Sequence, residues 1–147
     1  MTTQGIEILL VEDNPDDLDM ALWALRNAKL ANHIHVARDG VEALEFIFGE
    51  GLHAAREVGS GPKVILLDLK LPKVDGLEVL RRVKNDPRTK MIPVVVLTSS
   101  KEQPDVAECY RLGVNSYIVK PVNFEGFASA VAELGMYWLL LNQPPKG

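Results

Sequence analysis

Short apolar runs alternate along this chain with longer segments in which apolar residues recur every three to four positions. Five runs are predicted strands: residues 6–11, 33–37, 63–67, 92–97 and 116–119. Helical spacing follows each strand: from Asn14 to about Lys29, after Asp39-Gly40, after Asp75-Gly76, from Pro104 to Leu112, and from Asn123 to Leu141. The runs 64–67 and 94–97 are apolar throughout, which is typical of strands buried on both faces. The pattern therefore predicts an α/β fold, a doubly wound parallel sheet of five strands with five helices.

Length and composition set limits on the class of protein. The 147 residues suit one domain over residues 1–147, with its core at about 6–141. A net charge of -4 argues against a nucleic-acid partner, and the single cysteine excludes an internal disulfide. The first apolar run is too short to cross a membrane, so we expect a cytoplasmic protein with no membrane contact. Residues 49–62 are predicted to form a long loop, with an extra helical turn near 53–57.

Polar residues stand where the apolar strands end. Glu12-Asp13 follows the first strand, Asp68 the third, Thr98 the fourth and Lys120 the fifth. Ligands of such sheets bind outside the carboxyl ends of the strands. Any one of these residues alone reads more simply as a helix cap or a turn residue. Because four strand ends carry complementary groups, we expect them to converge on one site.

The chemistry of this set favours a metal-assisted phosphoryl site. Three clustered carboxylates repel one another and need a cation, and oxygen ligands without a soft donor suit Mg²⁺, with Mn²⁺ as the alternative. Lys120 offers a point charge and Thr98 a hydroxyl for phosphoryl oxygens. Asp68 is the best-placed nucleophile, which would yield an aspartyl phosphate.

Four motifs resemble the receiver domain of two-component response regulators. They are V-E-D-N at 11–14, D-L-K-L-P-K-V-D-G at 68–76, V-L-T-S-S at 96–100 and Y-I-V-K-P at 117–121. Their order and spacing match as well, and the resemblance extends from Ile6 to about Leu141. It implies a flavodoxin-like fold with strand order 2-1-3-4-5.

The resemblance also implies roles for the acidic residues. Asp68 matches the phosphoacceptor. Asp13 matches a direct Mg²⁺ ligand, Glu12 matches an acid that acts through water, and the backbone carbonyl of Lys70 matches a further ligand. Asp68 belongs to the same metal set.

Three further positions match the phosphoryl-binding and switch residues of the family. Thr98 and Lys120 would hold the phosphoryl oxygens, and Tyr117 would change orientation together with Thr98. Lys70 and Ser100 stand at variable positions from which side chains can gate the attacking water.

The implied partner is a sensor histidine kinase. The long loop and the aromatic last helix resemble small response regulators that pair with bacterial and cyanobacterial phytochromes, so a phytochrome kinase is expected. The chain stops soon after the last helix, which leaves no room for an effector domain and predicts output through protein contacts. A homodimer is expected through the face of the fourth helix, fifth strand and last helix, extended by Met136, Trp138, Leu139 and Leu140.

Other functions remain open at this point. The chain could relay its phosphate to a histidine phosphotransfer protein, or serve as a scaffold that is not phosphorylated. A nucleotide or flavin binder would need a phosphate-cradling loop after the first strand, where this chain has an acidic one. A phosphohydrolase would carry D-x-D after its first strand, whereas Asp68 follows the third. We therefore expect no enzyme beyond the chain's own phosphorylation and dephosphorylation.

Overall fold

The fold is a central parallel sheet with helices on both faces. The computed structural model describes residues 7–27, 33–50 and 62–119. The strands are β1 Glu7–Val11, β2 His33–Ala37, β3 Val64–Leu67, β4 Val94–Thr98 and β5 Ser116–Val119. The helices in the described part of the chain are α1 Pro15–Asn27, α2 Gly40–Phe48, α3 Gly76–Asn85 and α4 Gln103–Leu112.

The order of strands in the sheet is β2-β1-β3-β4-β5, all parallel, which confirms the predicted fold class and strand order. From β1 the chain crosses to β2 on one side, and it then returns to place β3 on the other side. Val11 stands opposite Leu67, which in turn stands opposite Val96. The carboxyl ends of β1 and β3 are therefore neighbours at the point where the winding direction reverses.

Two apolar layers cover the sheet, because successive strand residues point to opposite faces. Leu9, Ile65 and Val96 face a layer completed by α2, α3 and Cys109 of α4. Ile8, Leu66 and Val95 belong to the opposite layer, where α1 packs. All of these strand side chains are buried, which explains the unbroken apolar runs in β3 and β4.

Local capping explains where three helices begin. The Oδ1 atom of Asn14 accepts hydrogen bonds from the amides of Asp16 and Asp17, both at 3.0 Å. The helices α2 and α3 both begin with the tetrapeptide pattern D-G-x-E. Asp39 accepts from the amide of Glu42 at 2.8 Å, and Asp75 accepts from that of Glu78 at 3.0 Å. Each cap satisfies amides that the first helical turn leaves without a partner.

Some predicted boundaries were wrong by a few residues. β4 begins at Val94 rather than Ile92, because the amide of Ile92 closes a turn on Thr89 and Pro93 has no amide hydrogen. β4 also includes Thr98, β3 begins one residue after Lys63, and α4 begins one residue before Pro104.

Several predictions fall on residues outside the described ranges. They are the end of the first helix at about Lys29, the helical turn at 53–57, Lys120, the helix at 123–141 and its candidate dimer residues Met136, Trp138, Leu139 and Leu140. Among the described helices, none is both long and apolar enough to cross a membrane.

Candidate functional site

Three carboxylates meet at the carboxyl edge of the sheet. One side-chain oxygen from each of Glu12, Asp13 and Asp68 lies within 4.8 Å of the others. Glu12 and Asp68 are buried, whereas Asp13 is exposed. The structure thus brings together side chains that are more than 50 positions apart in the sequence.

Backbone hydrogen bonds extend the sheet by one residue and fix these acids in place. The amide of Asp68 donates to the carbonyl of Val11 at 3.1 Å, and the amide of Glu12 donates to the carbonyl of Ala37 at 3.0 Å. The loop after β1 and the loop after β3 therefore leave the sheet side by side. Their positions follow from the pairing of β1 with both β2 and β3.

Two of the carboxylates also accept a hydrogen bond from the backbone. Oδ1 of Asp68 accepts from the amide of Lys70 at 3.2 Å, and Oε2 of Glu12 accepts from the amide of Asn14 at 3.2 Å. Amide donors of this kind orient a carboxylate without neutralising its charge. Lys70 is thus placed beside Asp68 through its amide, while a role for its carbonyl in metal binding stays a prediction.

A glycine lets α3 begin directly against the backbone of Asp68. The amide of Gly76 donates to the carbonyl of Leu69 at 2.9 Å, and a Cβ at position 76 would lie 2.3 Å from the Asp68 carbonyl oxygen. No side chain fits in that space without moving Asp68. The glycine of D-G-x-E is therefore a requirement of the site as well as of the helix start.

The helix α2 holds the outer part of the same loop. The amide of Gly40 donates to the carbonyl of Pro72 at 3.3 Å, and a Cβ on Gly40 would lie 1.8 Å from the carbonyl oxygen of Val74. Lys73 adopts a φ of 69°, a left-handed conformation that is costly for a side chain of this kind. Its Nζ lies 3.5 Å from Oδ2 of Asp39.

Thr98 and Tyr117 are linked through Ser100. The amide of Ser100 donates to Oγ1 of Thr98 at 3.3 Å, and the hydroxyl of Tyr117 donates to the carbonyl of Ser100 at 2.8 Å. Thr98 and Ser100 are buried, and burial raises the pKa of the Tyr117 phenol above its usual value. Tyr117 is therefore a neutral hydrogen-bond donor at neutral pH.

The sequence analysis missed one residue of this network. Oγ of Ser100 donates to Oδ2 of Asp105 at 2.5 Å, so the Ser100 side chain is turned toward the start of α4. An aspartate in the first turn of a helix reads in a sequence as a favourable helix start, and nothing in the sequence pairs it with Ser100.

A nearby thiol lacks the properties of a reactive group. Cys109 is buried behind the network, and burial raises its pKa to about 11. A thiol with so high a pKa is a poor nucleophile at neutral pH.

The chemistry of the acidic cluster is that of a hard divalent cation site. Carboxylate oxygens from three residues, one of them exposed to solvent, match the preference of Mg²⁺ and Mn²⁺ for oxygen ligands and retained water. The residues present fit such an ion.

The fold and this acidic edge define a receiver domain. A family model described as the response regulator receiver domain matches residues 8–132, and the chain belongs to that family. The resemblance drawn from the four motifs is confirmed.

Two relatives match along most of their length. The probable methanogenesis regulatory protein FilR2 of Methanothrix harundinacea is 42% identical over 141 residues, which cover 94% of this chain and 86% of FilR2. The response regulator Rcp1 of Synechocystis sp. is 39% identical over 132 residues, which cover 90% and 88%.

Solved structures share the fold as well. The phosphorylated cyanobacterial phytochrome response regulator RcpA is 40% identical with a TM-score of 0.89, covering 97% of this chain and all of RcpA. The Mn²⁺-bound form of Rcp1 is 37% identical with a TM-score of 0.87, covering 95% and 99%. The bacteriophytochrome response regulator RtBRR is 53% identical with a TM-score of 0.77, covering 98% and 86%.

The metal expectation also agrees with these relatives. Rcp1 binds Mn²⁺ in its solved structure, and the cluster of Glu12, Asp13 and Asp68 fits a divalent ion in the same fold. The prediction of a divalent cofactor, Mg²⁺ or Mn²⁺, at the strand-end carboxylates is therefore confirmed.

Proposed function

We propose that this protein is a single-domain response regulator that accepts a phosphoryl group on Asp68 from a sensor histidine kinase in a Mg²⁺-dependent reaction. The convergence of three carboxylates within 4.8 Å at the carboxyl edge of the sheet carries this proposal. The family match over residues 8–132 supports a receiver domain. A cytoplasmic location is part of the proposal, since a kinase phosphorylates such a domain inside the cell.

Asp68 acts as the nucleophile. One of its carboxylate oxygens attacks phosphorus, and a P–O bond forms as the bond between phosphorus and the imidazole nitrogen of the donor histidine breaks. Mg²⁺ held by Asp13 and Asp68, by Glu12 through water and by the carbonyl of Lys70 would neutralise charge on the transferred group. The backbone contacts of Asp68 support this role, because they hold the residue and its carboxylate at the edge of the sheet.

Thr98 and Lys120 receive the phosphoryl oxygens in this mechanism. The buried Thr98 hydroxyl supplies a donor at the end of β4, next to β3, and the Lys120 ammonium supplies a charge. Phosphorylation adds nearly two negative charges, so Thr98 turns toward the new group and Tyr117 follows.

The donor is proposed to be a phytochrome kinase. RcpA and RtBRR are phytochrome response regulators that resemble this chain along nearly its whole length. FilR2, a probable methanogenesis regulatory protein, is comparably similar to this chain, so the pairing needs its own experiment. Transfer from an autophosphorylated bacteriophytochrome kinase to Asp68 within minutes would support it, and transfer that is no faster than from an unrelated kinase would contradict it.

Output is proposed to occur through protein contact, with a second copy of the chain as the partner. Tyr110 of α4 and Val119 of β5 are large apolar residues that stand exposed on the predicted dimer face, at 56% and 38%. Met136, Trp138, Leu139 and Leu140 belong to the same proposal. Light scattering should report a dimer, whereas a monomer at high concentration with and without phosphorylation would count against it.

The central experiment is phosphorylation by a small donor. With Mg²⁺ and acetyl phosphate, intact mass should show one phosphoryl adduct that is stable in acid and labile in base. The adduct should be absent with chelator and in Asp68→Asn. Asp75→Asn, which alters a nearby helix cap, is the matched control and should still be phosphorylated. An equal adduct in Asp68→Asn would place the acceptor elsewhere, and no adduct in the wild type would favour the scaffold alternative.

A further inference from the structure

Ser100 uses each of its polar groups to connect a different part of the switch region. Its amide donates to Thr98, and its carbonyl accepts from the Tyr117 hydroxyl. Its hydroxyl donates to Asp105 and accepts from the amide of Glu102 at 3.4 Å. Because Ser100 is only 7% exposed, water is a poor substitute for these partners.

The bond between Ser100 and Asp105 is the shortest in this network, at 2.5 Å against 2.8 to 3.4 Å for the others. Its acceptor is a carboxylate, and hydrogen bonds to ionised groups are shorter and about twice as strong as neutral ones. Asp105 therefore has the largest influence on where the Ser100 side chain lies.

The same bond also joins Ser100 to the start of α4. Within the part of the chain that the structure describes, the N-cap residue Glu102 makes no side-chain capping hydrogen bond. Ser100 contacts this helix start, since its hydroxyl accepts from the Glu102 amide and donates to Asp105 in the first turn. A displacement of Ser100 would therefore strain or break both of its contacts with the beginning of α4.

We propose that Asp105 is a positioning residue for the switch: through the Ser100 hydroxyl it fixes the carbonyl that binds Tyr117 and the amide that binds Thr98. The inference deepens the proposed function, on which its effect on phosphorylation rests. Oγ1 of Thr98 accepts from the Ser100 amide through a lone pair, which leaves its hydroxyl hydrogen available for a phosphoryl oxygen. The pair of Ser100 and Asp105 thus prepares Thr98 to donate to a phosphoryl group on Asp68.

The first test needs no phosphorylation and therefore stands even if the proposed function fails. The chain has three tyrosines, and 3-fluorotyrosine labelling with Tyr117→Phe as the assignment standard isolates the Tyr117 signal in ¹⁹F NMR. In Asp105→Ala and Ser100→Ala this signal should move toward its position in the urea-unfolded chain. The matched control is Glu108→Ala, which removes an exposed carboxylate from the same helix and should leave the signal in place.

The double variant separates positioning from a general effect on the helix. If Asp105 acts through Ser100, Ser100→Ala/Asp105→Ala shifts the Tyr117 signal no further than either single change. Additive shifts, or a Tyr117 signal unmoved in Asp105→Ala, overturn the proposal. Should Asp105→Ala not fold, Asp105→Asn takes its place, because its neutral amide oxygen is a weaker acceptor and should give a smaller shift of the same sign.

The second test measures phosphorylation of Asp68 by acetyl phosphate with Mg²⁺. The rate should fall by roughly two- to tenfold in Asp105→Ala, the range expected for one hydrogen bond. Ser100→Thr, which keeps the hydroxyl, should retain the wild-type rate, whereas Ser100→Ala should match Asp105→Ala. A rate unchanged in Asp105→Ala and Ser100→Ala contradicts the coupling to Thr98. If the wild-type chain forms no phosphoryl adduct, the proposed function is refuted. The ¹⁹F result on Tyr117 would then still test whether Asp105 positions Ser100.

Discussion

Two loops border the candidate site, and they are held in different ways. The loop between β3 and α3, residues 68–75, is fixed by backbone contacts: Asp68 to Val11, Gly76 to Leu69 and Gly40 to Pro72. The loop between β4 and α4, residues 99–102, is held chiefly by hydrogen bonds of side chains.

The difference matches what each loop has to do. Backbone contacts that enclose a glycine cannot be exchanged without moving a helix, so they hold Asp68 in one place, as the proposed nucleophile requires. Side-chain hydrogen bonds contribute about 1 kcal/mol each and can be exchanged by rotation about a single bond. Under the proposed function, the loop that follows Thr98 would therefore be the one to rearrange when Asp68 gains the charge of a phosphoryl group.

The largest effect is expected from Gly76→Ala. The added Cβ would overlap the carbonyl of Asp68, and overpacking of this kind costs about 2–3 kcal/mol. Urea unfolding should show that loss, and phosphorylation by acetyl phosphate should fall with it because Asp68 is displaced.

The matched control is Gly113→Ala at the end of α4. Gly113 has a φ of 102°, and a Cβ there would meet only the Lys84 side chain at 3.7 Å. This change should cost about 1 kcal/mol through backbone strain and leave phosphorylation intact. Equal phosphorylation in both variants would show that the loop between β3 and α3 tolerates displacement. That result would contradict the difference drawn between the two loops.

A smaller effect is expected from Thr98→Val. The substitution removes the acceptor of the buried Ser100 amide, which should lower the free energy of unfolding by about 1–2 kcal/mol. Asp68 should still be phosphorylated, more slowly, while the ¹⁹F signal of Tyr117 should no longer respond to phosphorylation. A Tyr117 signal that responds as in the wild type would show that the loop between β4 and α4 does not connect Asp68 to Tyr117.

The smallest effect is a gain from Lys73→Gly. Glycine adopts the left-handed conformation of position 73 freely, and the exposed ion pair lost with Asp39 contributes little, so stability should rise by about 0.5 kcal/mol. Lys73→Ala keeps the strain and loses the same ion pair, and it should not stabilise. Thermal unfolding compares the two, and a gain of equal size in both would assign the effect to the ion pair.

Prediction from the sequence was most successful where the cause is local or periodic. Helices were predicted to follow Asn14, Asp39-Gly40 and Asp75-Gly76, and the structure adds that each of Asn14, Asp39 and Asp75 caps its helix through an amide two or three residues away. Asp68 could be placed at a strand end because an apolar run stops there. Strand starts were predicted less well: the amide of Ile92 closes a turn on Thr89 instead of joining the sheet, and β3 begins one residue after Lys63.

The contacts that complete the site were not predicted. The bond of Ser100 to Asp105 depends on the angle at which α4 leaves β4, which no periodicity encodes. The close approach of Gly76 to Asp68 depends on where α3 lies against the sheet.

The sequence by itself determined the elements, the residues at the strand ends and the carboxylate chemistry, because hydrophobic periodicity and capping act between near neighbours. Only the tertiary structure decided how closely the expected cluster of Glu12, Asp13 and Asp68 meets, and that Ser100 joins Thr98, Tyr117 and Asp105. The reason is that strand order and helix placement result from burying two apolar faces at once, a condition on the whole chain rather than on any segment of it.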